Sequence, residues 1–288
     1  MAVAAVGVPV LAAGLLQALR AHDSRRAEDA WRALEGAAEA APDGFDPAMV
    51  ADLPAPARRY FLHAIAPGTP LRSVVEIEMT GQLSLGTKEA PDYMPMRARQ
   101  ILAGTRGFVW LLDAGAGPMR ISGSDGYLPP EAWTRFWLLK FAPVAQAGGG
   151  DDFARSAAGR AIAESVFWAP AALLPGPGVA WEPLDEHTAR ARVSHGGEAH
   201  MLDVTVDPEG RPRSVLIQRW SRENPEREWR LQPFGGTAEG TLLVDGYRLA
   251  ARVEGGNWFG TERYFPFYRV AVTRIGFPEP RPRRAGSA

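Results

Sequence analysis

The stretch Ala189-Arg190-Ala191-Arg192-Val193-Ser194-His195-Gly196-Gly197-Glu198-Ala199-His200-Met201-Leu202-Asp203-Val204 decides the fold class. Ala189, Ala191 and Val193 alternate with Arg190, Arg192 and Ser194, the period of two that gives a strand one buried and one wet face. Beyond Gly196-Gly197 the alternation resumes, with Leu202, Val204 and Val206 set against Asp203 and Thr205. A two-residue Gly-Gly loop suits the hairpin turns that match strand twist. Its register pairs Val193 with His200, Ala191 with Leu202 and Ala189 with Val204, so every pair puts its apolar groups on one face.

The same period spreads outward. The turn Asp207-Pro208-Glu209-Gly210 leads to a strand around Val215-Leu216-Ile217, with more strands near residues 228–233, 246–253 and 263–277. Upstream, Val75, Ile77, Met79, Gly81, Leu83 and Leu85 alternate with polar neighbours, then Met94, Met96, Ala98, Gln100 and Leu102 do so, and Phe108, Trp110 and Leu112 follow Gly107. Between the two halves we expect a helical insert at about 129–170. Pro129-Pro130 opens its first segment, ending near Ala145. Asp151 or Asp152 caps the second, ending near Trp168, and Gly148-Gly149-Gly150 separates the two.

Ahead of the sheet, residues 24–40 read as a helix capped by Ser24 and ended by Ala41-Pro42-Asp43-Gly44. A short helix follows from Pro54 or Ala55 to Ile65. The expected fold is α+β: a large curved antiparallel sheet (a half-barrel) with helices on its concave side, plus an N-terminal apolar helix. The expected divisions are 1–22 for that helix, 23–67 for a helical lead-in, 68–277 for the sheet domain and 278–288 for a disordered Pro- and Arg-rich tail.

Composition narrows the function classes. The chain has 288 residues, 46% of them hydrophobic, and a net charge of -1, so no bulk charge draws it to nucleic acid. Arg abundance beside much Ala, Gly and Pro reads as compositional bias. With no Cys, disulfides, thiolate metal sites and Cys lipidation are excluded. The apolar run Val3–Leu19 is at the lower limit for spanning a bilayer. Arg20, Arg25 and Arg26 follow it, a pattern that keeps the next domain cytoplasmic. We expect membrane association through this helix; packing on the domain is the alternative.

Motifs for catalysis are sparse. The five histidines include His195 and His200 flanking the Gly-Gly turn, with no zinc spacing. The hairpin register aims His200 at the apolar face, the usual place of a core histidine. Gly123-Ser124-Asp125-Gly126 lacks the nucleophile-elbow pattern and reads as a turn between strands. No metal or cofactor site is expected. In the segment from Arg160 to Leu174, Arg160 and Glu164 can pair on one helix face beside Ile162, Val166, Phe167 and Trp168. The nine Trp residues suit a large core or an aromatic-lined pocket.

Several motifs carry a resemblance. Leu53-Pro54-Ala55-Pro56-Ala57-Arg58-Arg59-Tyr60-Phe61, Met96-Arg97-Ala98-Arg99-Gln100, Gly107-Phe108-Val109-Trp110 and the Glu164, Trp168, Pro170, Leu173 segment resemble a bacterial family of mostly membrane-associated proteins without an assigned activity. Trp181 and Trp258 fit later positions, and the resemblance spans about residues 45–277. At fold level that family is similar to the periplasmic lipoprotein-carrier half-barrels, which implies a curved sheet wrapped around helices and a greasy cavity. Gly126-Tyr127-Leu128-Pro129-Pro130 departs from the family's Gly-rich run at that place, which puts the loop shape there in doubt.

Two functions remain open. The first is a binding or carrier protein for an apolar or amphiphilic, lipid-like ligand, held by Gln100, Trp110, Glu164, Trp168 and Trp258 between sheet and helices. The second is an enzyme using the same cavity, with Glu164 or His200 as acid or base. The carrier reading leads, because acid–base constellations are few while Trp and Met are plentiful. Oligomeric state and ligand identity are left open.

Overall fold

Alternation becomes a single sheet. The computed structural model describes residues 2–38 and 44–279, with side chains from residue 12 onward. Its strands are β1 (Val75–Ser84), β2 (Tyr93–Leu102), β3 (Phe108–Ala114), β4 (Ile121–Leu128), β5 (Glu131–Leu138), β6 (Ala142–Gly148), β7 (Val179–Pro183), β8 (Thr188–His195), β9 (Glu198–Val206), β10 (Pro212–Ser221), β11 (Arg230–Val244), β12 (Tyr247–Asn257) and β13 (Tyr268–Gly276). They lie in the order β6-β5-β4-β3-β2-β1-β13-β12-β11-β10-β9-β8-β7, and all neighbours are antiparallel. The β8–β9 hairpin pairs Val193 with His200, Ala191 with Leu202 and Ala189 with Val204, as its sequence requires. Gly196 and Gly197 take φ of 60° and 80°, the left-handed region in which a side chain is costly.

Three α-helices dress the sheet: α1 (Ala2–Gly36), α2 (Ala55–Ala64) and α3 (Asp151–Trp168). The edge strands β6 and β7 are connected through α3 and a 3-10 turn at Pro170–Leu173, so α3 lies like a chord across the concave face. At about 1.5 Å per residue it is roughly 27 Å long. Ala161, Ile162, Val166, Phe167 and Trp168 of α3 are buried in the main core with Val75, Ile77, Leu102 and Phe108 from one half of the sheet and Leu202, Val204 and Ile217 from the other. Helix α2 joins the same core, and its Tyr60 hydroxyl donates to the Val166 carbonyl at 2.7 Å. A second core lies on the outer face, where Ala27, Ala30 and Leu34 of α1 meet Ile101, Val109 and Trp133.

This two-sided burial corrects the expected insert. Residues 131–148 are not helical: they form β5 and β6, and Pro129-Pro130, joined by a cis peptide bond, makes the loop between β4 and β5. Ala132, Thr134 and Phe136 face α3, whereas Trp133 and Trp137 face α1. Apolar groups on both faces erase the alternation that marks a half-buried strand. Only 151–168 of the insert is α-helical. Likewise Gly123-Ser124-Asp125-Gly126 is the interior of β4 and not a turn.

The N-terminal helix also differs from expectation. Ser24 caps nothing; α1 runs unbroken from Ala2 to Gly36. From Gln17 on, polar side chains moor it to the outer face: Asp23 accepts from Trp137 Nε1 at 3.2 Å, Trp31 Nε1 donates to Glu76 at 3.0 Å, and Arg26 pairs with Glu131. The breaker expected at 41–43 and the tail from 280 lie outside the described residues. Among the described residues, no helix is long and apolar enough to cross a membrane. The side chains of residues 3–11, half of the expected anchor, lie outside that set.

Candidate functional site

The register aligns a lateral row of side chains on the concave face. Gln100 faces Trp110, Trp110 faces Asp125 and Asp125 faces Thr134 across β2, β3, β4 and β5. Helix α3 lays Arg160 and Glu164, one turn apart, over this row. Arg160 Nε donates to Glu164 Oε1 at 2.7 Å, and its Nη1 donates to Asp125 Oδ2. Gln100 Nε2 reaches Glu164 Oε2 at 2.5 Å, and Thr134 Oγ1 donates to Asp125 Oδ1 at 3.0 Å. The result is a chain Gln100–Glu164–Arg160–Asp125–Thr134 in which all four carboxylate oxygens are engaged.

Aromatic rings wall the network. The Arg160 guanidinium lies 4.5 Å from the Phe108 ring centroid and 5.3 Å from that of Trp110, close enough for cation–π attraction. Burial works against the charge of Arg160, but Glu164 and Asp125 outweigh it and hold the guanidinium pKa above its ordinary value. Tyr268, 6.1 Å from Trp110 between ring centroids, donates its hydroxyl to Met79 Sδ at 2.8 Å. Its pKa is pushed up by burial first and by the Glu164 charge second. Glu164 is held in place by two partners, Arg160 and Gln100.

Two polar atoms in this wall have no protein partner. Gln100 is fully buried (0% exposed) and Trp110 nearly so (5%), yet Gln100 Oε1 and Trp110 Nε1 are unsatisfied among the described residues. One is an acceptor and the other a donor, on neighbouring strands in the same row. Buried polar atoms are nearly always paired, and an orphan costs roughly 1–3 kcal/mol.

The other expected site residues fall in different places. Trp168 is one turn beyond Glu164 on α3, buried against Phe167, and its Nε1 donates to the Ala250 carbonyl at 3.1 Å, so its polar atom is spent on the scaffold. Trp258 lies just past the end of β12, with φ of 64° and Arg263 over its ring at 3.8 Å. No contact joins it to the Glu164 network. His200 is on the buried face, 7% exposed, over Gly159 of α3. Burial first, then the charges of His195 and Arg155, lower its pKa to about 4. A Cβ on Gly159 would come 3.5 Å from His200 Nδ1, an ordinary van der Waals contact, so α3 lies directly against β9 there.

Sequence reading missed Asp125 and Thr134, because one was assigned to a turn and the other to a helix. It also missed the Asp125 end of the network, where a partly open cavity of about 210 Å³ is bordered by Asp125, Thr134, Arg160, Arg219, Arg222 and Glu223. The available signal was Arg160 itself, since a buried guanidinium with a single carboxylate leaves N–H groups in need of a second partner.

Residues 43–270 match the family described as "Family of unknown function (DUF6544)", and the chain belongs to it. No curated protein matches the chain. Among solved structures, the chain is similar to a LolA superfamily protein from Nitrosomonas europaea, at 9% identity and a TM-score of 0.41, covering 78% of this chain and 92% of that one. It is also similar to a domain assigned to outer membrane lipoprotein sorting from Vibrio parahaemolyticus, at 11% identity and a TM-score of 0.34, covering 71% of this chain and 85% of that one. At those values neither carries an argument about ligand or activity.

Proposed function

We propose that the protein binds an apolar or amphiphilic, lipid-like molecule between α3 and the concave face of the sheet, and that its N-terminal helix keeps it at a membrane. The observation that carries the first part is the unsatisfied pair Gln100 Oε1 and Trp110 Nε1 in a wall where aromatic rings border the Glu164–Arg160 network. A ligand that carries a donor and an acceptor completes both atoms while the rings of Trp110, Phe108 and Tyr268 hold its apolar part. The membrane part draws on exposed Leu15 and Leu19 of α1, beside exposed Leu139 and Phe141 of the β5–β6 turn, where Gln17 Nε2 donates to the Lys140 carbonyl.

The catalytic alternative draws no support from this geometry. Both oxygens of Glu164 are engaged, and among the described residues the His200 ring has no hydrogen-bond partner and no carboxylate acting on it.

Native mass spectrometry with lipid extraction of the purified full chain tests the proposal. A co-purifying lipid-like molecule, retained less well by Glu164→Gln at unchanged thermal stability, is the expected result. Glu164→Gln unsettles Gln100 without removing bulk. If nothing but water occupies the wall, and Glu164→Gln lowers melting temperature while leaving retention per folded molecule alone, the network is scaffold and the binding reading is wrong.

A further inference from the structure

Charged side chains inside a protein are nearly always paired, and an unpaired one costs several kcal/mol. At the Asp125 end of the network Arg219 departs from this rule, and the partly buried Arg222 lies beside it. Arg219, on β10, is mostly buried. Its Nε donates to the Ser156 carbonyl at 3.0 Å and its guanidinium lies 4.8 Å from the Phe234 ring centroid. Among the described residues it forms no ion pair, and the Ser156 carbonyl is its one hydrogen-bond acceptor. Arg222, three residues on, sits against two rings, 5.0 Å from that of Phe153 and 5.6 Å from that of Trp229, and its side chain makes no hydrogen bond or ion pair among the described residues. Both arginines border the cavity of about 210 Å³.

The surrounding charges fix what the cavity lacks. Arg160 already engages Asp125 and Glu164, and those acids favour Arg219 only from a distance. Burial first and the charge of Arg160 second depress the Arg219 pKa to about 10, so it remains a cation at neutral pH, held there at a cost. Glu223 on the rim is exposed and pairs with neither arginine. Two flat donor arrays thus face a space of the right size for a small oxyanion. Arginine N–H groups in such a fork match carboxylate or phosphate oxygens in pairs. The rings packed against Arg219 and Arg222 restrict both side chains before binding, which reduces the rotamer freedom lost on binding.

We infer that this cavity is an anion site, in which Arg219 and Arg222 grip the carboxylate or phosphate of a ligand while Phe153 and Trp229 flank its first carbons. The inference deepens the amphiphile reading by assigning the head group, and rests on that reading for the source of the anion. A free phosphate offers the same chemistry, so the two sources have to be separated by experiment.

Three probes do this with the purified full chain: lysophosphatidic acid, a monoacylglycerol with the same acyl chain, and inorganic phosphate. Each is titrated calorimetrically into the wild type and into Arg219→Met/Arg222→Met. We expect the wild type to bind lysophosphatidic acid at least tenfold more tightly than the monoacylglycerol, and the double variant to lose that preference while its grip on the monoacylglycerol is unchanged. Melting temperature of the unliganded variant is the folding control. Removing an unpaired buried charge leaves it equal or higher, whereas a structural arginine would lower it. Phosphate binding that depends on the two arginines, with no lipid binding at all, keeps the anion site and rejects the amphiphile reading. Equal binding of both lipids by wild type and variant rejects the anion site and keeps the amphiphile reading. Failure of all three probes rejects both.

Discussion

The Tyr127 hydroxyl lies 2.8 Å from His195 Nε2, although eight strands separate β4 from β8 in the sheet. Sheet twist and coiling bring the two flanks within hydrogen-bond reach at this end, so the half-barrel is clasped there by one polar contact. Burial lowers the pKa of His195, which favours the neutral ring that accepts from Tyr127. Tyr127→Phe should therefore lower stability by about 0.5–1.5 kcal/mol in urea titration. It should also speed amide exchange in β4 and β8 more than in β1 and β13. Uniform acceleration over the whole sheet would mean that the contact does not act as a clasp.

Acid should weaken the fold through its histidines. His200 has a folded-state pKa of about 4 against 6.5 for an unperturbed ring. Between those values the unfolded chain takes up a proton that the folded chain refuses. The contribution is complete above pH 6.5 and declines as pH falls toward 4, by on the order of 3 kcal/mol at most. His195 and His63 shift in the same direction. Urea titrations at pH 7.5 and pH 5 should differ clearly for the wild type and much less for His200→Leu. An equal pH dependence in that variant would remove His200 from the account.

Arg160 holds two carboxylates inside the core. Its removal leaves Glu164 and Asp125 buried without their shared cation, so Arg160→Leu should cost about 3–5 kcal/mol. Adding Glu164→Gln and Asp125→Asn removes both stranded charges and should recover most of that loss. A double-mutant cycle in which the three changes are additive would show that the groups are not coupled.

Helix α1 divides into two parts with different consequences. Deleting residues 1–22 keeps the contacts of Asp23, Arg26 and Trp31 with the sheet, so melting temperature should stay within a few degrees. It should also release the protein from vesicles that retain the full chain. Deleting residues 1–38 uncovers Ile101, Val109 and Trp133, and several kcal/mol should be lost. A full chain that stays in solution beside vesicles would reject the anchor.

How much was readable in advance depended on which faces of a strand are wet. The β8–β9 hairpin was legible to the residue because Arg190, Arg192 and Asp203 face outward opposite Ala191 and Leu202. Gln100 and Trp110 share the inner face of β2 and β3, where enough alternation survives to show it, and Glu164 lies against Gln100. β5 was illegible for the opposite reason: α1 covers one face and α3 the other, and a sequence carries no mark of a helix packed from afar. With β5 went Thr134, and with β4 went Asp125. Arg219 and Arg222 were hidden in a different way, as members of a crowd of arginines. Only coordinates distinguish an arginine lacking a carboxylate from its many paired counterparts.

The strand order sets a timetable for assembly. β1 to β6 form an unbroken meander, as do β7 to β13, and each ladder within them closes over a short loop. One ladder alone, β1 with β13, joins the meanders, and it pairs Ile77 with Ile275 from nearly opposite ends of the sheet domain. That seam cannot zip until the last strand has been synthesised, so a growing chain on the ribosome carries β1 as an open apolar edge for most of its synthesis. Contacts between such distant segments are slow to find one another. A stop codon ahead of β13 would therefore not trim the sheet at its margin: it would cut it down the middle.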